Sequence, residues 1–206
     1  MIRKMAVATL ALVACNAANA DLIVNGGFES PSVIGGNQQF NAGSNAIPGW
    51  AITGGSVDLV ESGSVLGNAH SGLQLIDING ASAGTIQQTF ATKPGNTYSV
   101  ELYYSNNPNP AEARPSYSAS VTAIGSGQLF QQTLVHAGAT ETEMNWLLFT
   151  RTFVANSATT TLRLQSSQSG FNGIYFDSVS VVPEPSAFAI AATSLFALSL
   201  NRRRRP

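Results

Sequence analysis

Gly80-Ala81-Ser82-Ala83-Gly84 spells the GxSxG pattern of a serine nucleophile, with Glu101 or Glu112 and then His136 following in the order acid, base. A serine of this kind attacks when an imidazole takes its proton and backbone N–H groups await the oxyanion, which requires a strand, a strained turn and a helix around it. The setting here is different. Thr85 to Phe90 alternates like a strand, and Gly80 to Gly84 reads as a hairpin of small residues. Acyl transfer at Ser82 is therefore the remote alternative, and a non-catalytic chain is expected. Acid pairs for glycoside hydrolysis are not specified by sequence spacing, because the chemistry depends on a separation in space. His70 and His136 stand far apart with no thiolate near them, a poor set for zinc.

A second chemistry, sugar binding, needs aromatic rings to stack on a pyranose face and amides or carboxylates to meet its hydroxyls. Tyr103, Tyr104, Asn106, Asn107, Tyr117, Trp146 and Tyr175 form that pool. Each ring can equally serve as packing. Trp50, which follows a Pro48-Gly49 turn and begins a strand pattern, is expected in the core.

These residues must be positioned by strands. Eleven runs rich in β-branched and aromatic residues are expected at Leu22 to Val24, Trp50 to Thr53, Val57 to Val60, Leu73 to Ile78, Thr85 to Phe90, Tyr98 to Tyr104, Tyr117 to Ile124, Leu129 to Leu134, Trp146 to Val154, Thr160 to Leu164 and Ile174 to Val182. Tyr98, Val100 and Leu102 alternate with Ser99 and Glu101, the period of a half-buried strand. Pairs such as Gly54-Gly55, Asn79-Gly80 and Pro94-Gly95 punctuate the runs as turn formers. Many short strands at this spacing mean an all-β sandwich or jelly roll.

Residues 21–182 make one domain, with four basic residues against ten acids and hence a net charge of −6. That balance argues against nucleic acid, whose binding needs clustered Lys and Arg. The domain has no cysteine, so disulfides and thiolate chemistry are absent from it.

Both ends carry addresses. Residues 1–20 read as a signal peptide: Arg3 and Lys4 precede an apolar run, and Ala18-Asn19-Ala20 supplies small residues before a cleavage site at Asp21. A competing lipobox reading would lipidate Cys15. At the other end, Pro183, Glu184 and Pro185 precede an uncharged run, 186–200, and the cluster Arg202 to Arg205. The prolines fix φ and remove donors, so no regular element is expected to run through them. The 15-residue run reaches about 22 Å as a helix against a hydrocarbon core of roughly 30 Å, and the arginines resist translocation. Residues 183–206 resemble the PEP-CTERM sorting signal of Gram-negative bacteria. The resemblance implies an inner-membrane precursor, an exosortase-type processing enzyme as partner, and delivery to the cell surface or the exopolysaccharide matrix. An ordinary tail anchor is the alternative.

The body itself is similar to known types. LIVNGGFESP at 22–31 resembles the opening of galactose-binding-like jelly rolls, including family 4, 9 and 22 carbohydrate-binding modules and the DUF642 group. IPGWAITGGSVDLV at 47–60, LQLIDING at 73–80 and TIQQTFATKPGNTYSVELYYSNNP at 85–108 resemble bacterial "choice-of-anchor C" domains, and IYFDSVSV at 174–181 fits the closing strand of both. The resemblance implies a secreted, non-catalytic jelly-roll sandwich with affinity for extracellular polysaccharide, the alternative being a structural or adhesion protein without a specific glycan. It also implies a structural calcium ion held by Glu29 and Asp177, between the first and last strands, with Asp58 and Asp77 as weaker candidates. Calcium takes six to eight oxygens, so turn carbonyls would complete the set.

Overall fold

The computed structural model describes residues 20–64, 66–112 and 115–185. Most of the signal-peptide expectation, Cys15, the 186–200 run and the Arg202 to Arg205 cluster lie outside the described residues. Among those described, eleven strands form two sheets: β1 (Asn37–Asn41), β2 (Ala51–Gly54), β3 (Ser56–Glu61), β4 (Gln74–Asp77), β5 (Thr85–Ala91), β6 (Thr97–Asn106), β7 (Tyr117–Ile124), β8 (Gln128–His136), β9 (Leu147–Val154), β10 (Thr159–Ser166) and β11 (Ile174–Pro183). The six-stranded sheet runs β1-β3-β4-β11-β6-β9 and the five-stranded sheet β2-β5-β10-β7-β8. Every strand pairing is antiparallel.

Alternation places the core. Tyr98, Val100 and Leu102 of β6, Ile174, Phe176 and Val181 of β11, and Ile86, Leu162 and Leu164 of the facing sheet all enter one buried cluster. Trp50 is there too, 2% exposed and 5.3 Å from the ring of Phe28, its indole N–H donating to Asn25 O at 3.1 Å. Burying side chains of this size stabilises by roughly 1.5–3 kcal/mol each.

Leu22 to Val24 does not form a strand, in contrast to the sequence expectation. Its backbone is satisfied chiefly by side chains. Gln88, at an inward position of β5, accepts from Val24 N–H at 2.7 Å and donates to Val24 O at 3.0 Å, taking the place of a partner strand. Gln74 donates to Phe28 O and Pro31 O and accepts from Val33 N–H. Leu22 N–H still reaches Val181 O, and Val179 N–H reaches Gly26 O. A Cβ at Gly26 would lie 1.9 Å from Val179 O, so only glycine permits that approach. β1 was not expected: in NQQFN only Phe40 is buried, and an edge strand of polar residues carries no apolar alternation. β11 also runs one residue further than expected, since Pro183 pairs with Tyr98 and Glu184 N–H donates to Thr97 O at 2.9 Å.

The outer face of the six-stranded sheet is not bare. Val60, Leu75, Met144 and Tyr175 form a second small core there, roofed by Leu66 and Ala69 from the β3–β4 loop and by Ala139 and Trp146 from the β8–β9 loop. Loops thus cover the middle of this face and leave openings at its flanks.

Candidate functional site

One row of residues crosses the outer face. Gln39 pairs with Asp58, Asp58 with Asp77, Asp77 with Tyr175, and Tyr175 with Ser105, on β1, β3, β4, β11 and β6 in turn. Directly opposed residues have Cβ atoms about 4.5–5.5 Å apart, and like charges so placed repel. Asp77 is buried and accepts from Asn79 N–H and from Asn107 Nδ2, both at 2.8 Å. Burial pushes its carboxyl well above the usual range and the charge of Asp58 adds to that, while the hydrogen bonds oppose it. Asp58 is also raised by burial, against one bond from Asn37 Nδ2 to its Oδ2 at 2.7 Å. Its Oδ1 is buried with no partner, as is the hydroxyl of Tyr175. A buried acceptor left unmade costs roughly 1–3 kcal/mol.

Asp58 lines a cleft of about 260 Å³ with Asn37, Gln39, Asn107, Asn109 and the ring of Phe171. Phe171 stands on the β10–β11 connection and is 47% exposed. A flat apolar ring beside amides and a carboxylate is the combination that recognises a pyranose, whose faces are apolar and whose rim is hydroxylated. A second groove, of about 320 Å³, lies beside Glu29, Ile34, Glu61 and Leu73. Its acids are already engaged: Glu29 Oε1 accepts from Leu73 and Gln74 N–H, and Glu61 Oε2 from Gly35 and Gly36 N–H. The first cleft is therefore the better candidate.

The aromatic residues named from the sequence divide. Tyr103 and Trp146 are brought together through His70, which stacks on Tyr103 at 3.5 Å and meets Trp146 edge-on at 6.1 Å. Trp146 Nε1 donates to Asn68 O at 3.2 Å. Tyr104 is partly buried, edge-on to His136. Tyr117 and Tyr175 are corrected: they are 3% and 0% exposed and present no ring face to a sugar. Asn106 is corrected likewise, being buried with Nδ2 donating to Asn107 O and Oδ1 facing His136 Nδ1 and Ala139 N–H. Phe171, Asn37, Gln39 and Asn109 were missed.

Glu29 and Asp177 do approach one another. A Cβ on Gly27 would lie 3.8 Å from Glu29 Cγ and 4.0 Å from Asp177 Oδ1. Asp177 is fully buried at the β-bulge of β11, where Oδ2 accepts from Ser71 N–H at 2.9 Å and Oδ1 from Ser178 N–H at 2.5 Å. Burial pushes its carboxyl up to about 6, backbone N–H groups pull it down, and the charge of Glu29 pushes it further up. Backbone donors already occupy both oxygens of Asp177 and one of Glu29. No group of three or more His, Cys, Asp or Glu side chains is placed to hold a metal among the described residues.

The Ser82 arrangement lacks its base. Ser82 lies in the β4–β5 connection with its Oγ 3.5 Å from Ser56 Oγ. His136 is buried, with Nδ1 2.7 Å from Asn106 Oδ1 and Nε2 2.8 Å from Asn145 O, so neither ring nitrogen is available to the serine.

Comparison with known proteins agrees with this two-sheet architecture. The family described as "Protein of unknown function (DUF642)" matches residues 21–181. Halomucin of Haloquadratum walsbyi (strain DSM 16790 / HBSQ001) is 29% identical over 190 residues, 87% of this chain, yet the chain spans only 2% of halomucin's length. TmCBM61 in complex with β-1,4-galactotriose superposes with a TM-score of 0.53 at 13% identity, over 80% of this chain and 99% of that one. The CBM22-1 xylan-binding domain from Paenibacillus barcinonensis gives 0.46 at 15% identity, over 82% and 98%. The likeness to TmCBM61 supports an all-β two-sheet sandwich of the kind seen in that carbohydrate-binding module.

Proposed function

The chain belongs to the DUF642 family, and on that footing we propose that it is an exported, non-catalytic protein that binds carbohydrate in the cleft between Asp58 and Phe171. The observation that carries this reading is a cleft lined by the amides of Asn37, Gln39, Asn107 and Asn109, the carboxylate of Asp58 and the partly exposed ring of Phe171. Sugar hydroxyls meet the amides, and an apolar sugar face lies against Phe171. The sandwich is of the jelly-roll type in this reading. Its resemblance in fold to a module solved with a galactotriose supports the same chemistry. Titration of glycan panels against the protein and its Phe171→Ala variant tests the reading.

Export through residues 1–20 and sorting through 183–206 by an exosortase-type enzyme would place the mature protein at the surface or in the exopolysaccharide matrix of a Gram-negative cell. When bound, a calcium ion at Glu29 and Asp177 would supply positive charge that ties the N-terminal segment to β11. A second reading, protein adhesion, draws on the open edges of β8 and β9, where Val135, Leu147, Leu148 and Val154 are exposed. Replacing Leu147 and Leu148 by serine separates the two, since glycan binding survives that change and edge adhesion does not.

A further inference from the structure

The groove of about 320 Å³ beside Glu29 and Glu61 shares no lining residue with the Asp58 cleft among the described residues. Each of its two carboxylates is held by one oxygen. Glu29 Oε1 accepts from Leu73 and Gln74 N–H, and Glu61 Oε2 accepts from Gly35 and Gly36 N–H. Glu29 Oε2 and Glu61 Oε1 carry no hydrogen bond among the described residues. The two side chains meet at Gln74, whose N–H bonds Glu29 and which pairs with Glu61 across β3 and β4. The fit around Glu29 is close, since a Cβ at Gly72 would lie 2.1 Å from its Oε1.

Beside these acids stand Ile34 and Leu73, 89% and 73% exposed, the two most exposed of the large apolar side chains described. Fixed carboxylates next to bare aliphatic side chains suit a ligand that is cationic at its tip and apolar along its stem. A metal ion uses the acids alone and leaves the aliphatic side chains in water. A neutral sugar leaves both acids uncompensated. Arginine matches both parts: its stem packs along aliphatic surface, and its planar fork carries five donors, enough to bridge two carboxylates that each offer one oxygen. Free arginine brings a carboxylate of its own towards two others, whereas an arginine within a peptide does not.

We propose that this groove docks a partner protein presenting an arginine flanked by aliphatic residues, with the guanidinium bridging Glu29 and Glu61 and the flanking side chains covering Ile34 and Leu73. The domain's net charge of −6 favours the approach of such a segment. The site lies on β3 and β4, apart from β9 at the far edge of the same sheet, so it is distinct from edge adhesion.

Blocked pentapeptides with a central arginine, lysine or glutamine between two leucines and terminal glycines test it, titrated in EDTA against isotopically labelled protein. The readout is the amide signals of Gly35, Gly36, Leu73 and Gln74, the donors to the two acids. The arginine peptide should move them saturably, the lysine peptide should bind about threefold more weakly, and the glutamine peptide should leave them in place. Glu61→Gln keeps an oxygen for Gly35 and Gly36 and should weaken the arginine peptide about fivefold, the upper end of what an exposed ion pair is worth. Glu143→Gln, which removes the same charge from the exposed β8–β9 loop, should change it by less than about twofold. Should Glu61→Gln fail to fold, Leu73→Ser at its exposed position takes its place and should also weaken the arginine peptide. Unmoved signals with the arginine peptide overturn the site. Equal binding of the lysine peptide overturns the guanidinium bridge, and an equal loss in Glu143→Gln overturns the proposal as general charge attraction. Cellotetraose moving the same four signals overturns the peptide assignment in favour of a sugar subsite. The Asp58 cleft is decided separately by the Phe171→Ala titration.

Discussion

The imidazole of His70 lies flat on the ring of Tyr103, their centroids 3.5 Å apart and their planes 14° from parallel. Burial lowers the affinity of His70 for its proton, while the charge of Glu101 opposes that. The face of Tyr103 that a sugar would use is therefore already covered, by a side chain from the β3–β4 loop whose Nδ1 is also 3.0 Å from Ser178 Oγ. This is why Tyr103 is not the expected stacking ring, and the ring that lines the cleft is that of Phe171.

Phe171→Ala should weaken glycan binding by about three- to tenfold, the worth of one aromatic stack. His70→Ala should leave affinity within about twofold, because it removes an internal contact at a distance from the cleft. Titration of both variants with one glycan checks the assignment; a larger loss in His70→Ala moves the site to the Tyr103–Trp146 cluster.

Asp177 sets a pH dependence of stability. Its carboxyl is raised to about 6 in the folded chain, above its ordinary value of 3.8, so between these the folded state holds a proton that the unfolded state has released. The contribution is fully present below the ordinary value and is lost as pH rises through about 6. Asp58 and Asp77 are raised as well and act in the same sense. Melting temperature in EDTA should therefore fall between about pH 4 and pH 6, and Asp177→Asn should reduce that fall. A curve of the same slope in the variant contradicts the assignment.

Calcium should act on the opposite side of that window, because it binds the ionised pair. If Glu29 and Asp177 hold the ion, adding calcium above about pH 6 raises the melting temperature by a ligand-linked RT ln(1 + [L]/Kd), and EDTA reverses it. Glu29→Gln and Asp177→Asn should each abolish the response. Melting curves indifferent to calcium and EDTA, or a response kept in both variants, place no ion there.

The architecture could be read from strands such as β6, where Tyr98, Val100 and Leu102 alternate with polar neighbours. It could not be read where side chains replace a ladder: the segment at Leu22 to Val24 looks like a strand, but the amide of Gln88 pairs with its backbone. β1 escaped notice because an edge strand with one buried residue, Phe40, leaves no periodic trace. The cleft was legible only in part. Asp58 enters the sequence reading only as a weaker calcium candidate, and Asn37, Asn109 and Phe171 come from segments distant in sequence. Of the misassigned rings, Tyr117 lies in the main core and Tyr175 on an outer face closed by neighbouring loops, which alternation alone does not record.

Replacing Pro183, Glu184 and Pro185 by alanine should leave the domain folded, since Pro183 donates no ladder hydrogen bond and the Glu184 N–H to Thr97 O bond is a backbone contact. Processing at the C-terminus should stop, and the protein should remain in the inner membrane with its tail attached. Mass spectrometry of the mature C-terminus checks this; normal cleavage and release of the variant sink the sorting role.

The central claim, that the cleft binds carbohydrate, is tested most directly by a glycan array probed with the purified protein and with its Asp58→Ala and Phe171→Ala variants, each shown by its melting curve to be folded. The account predicts that the protein retains at least one glycan and that both variants bind it more weakly. Undiminished binding of the same glycans by both folded variants, or binding to none by the protein itself, would contradict it.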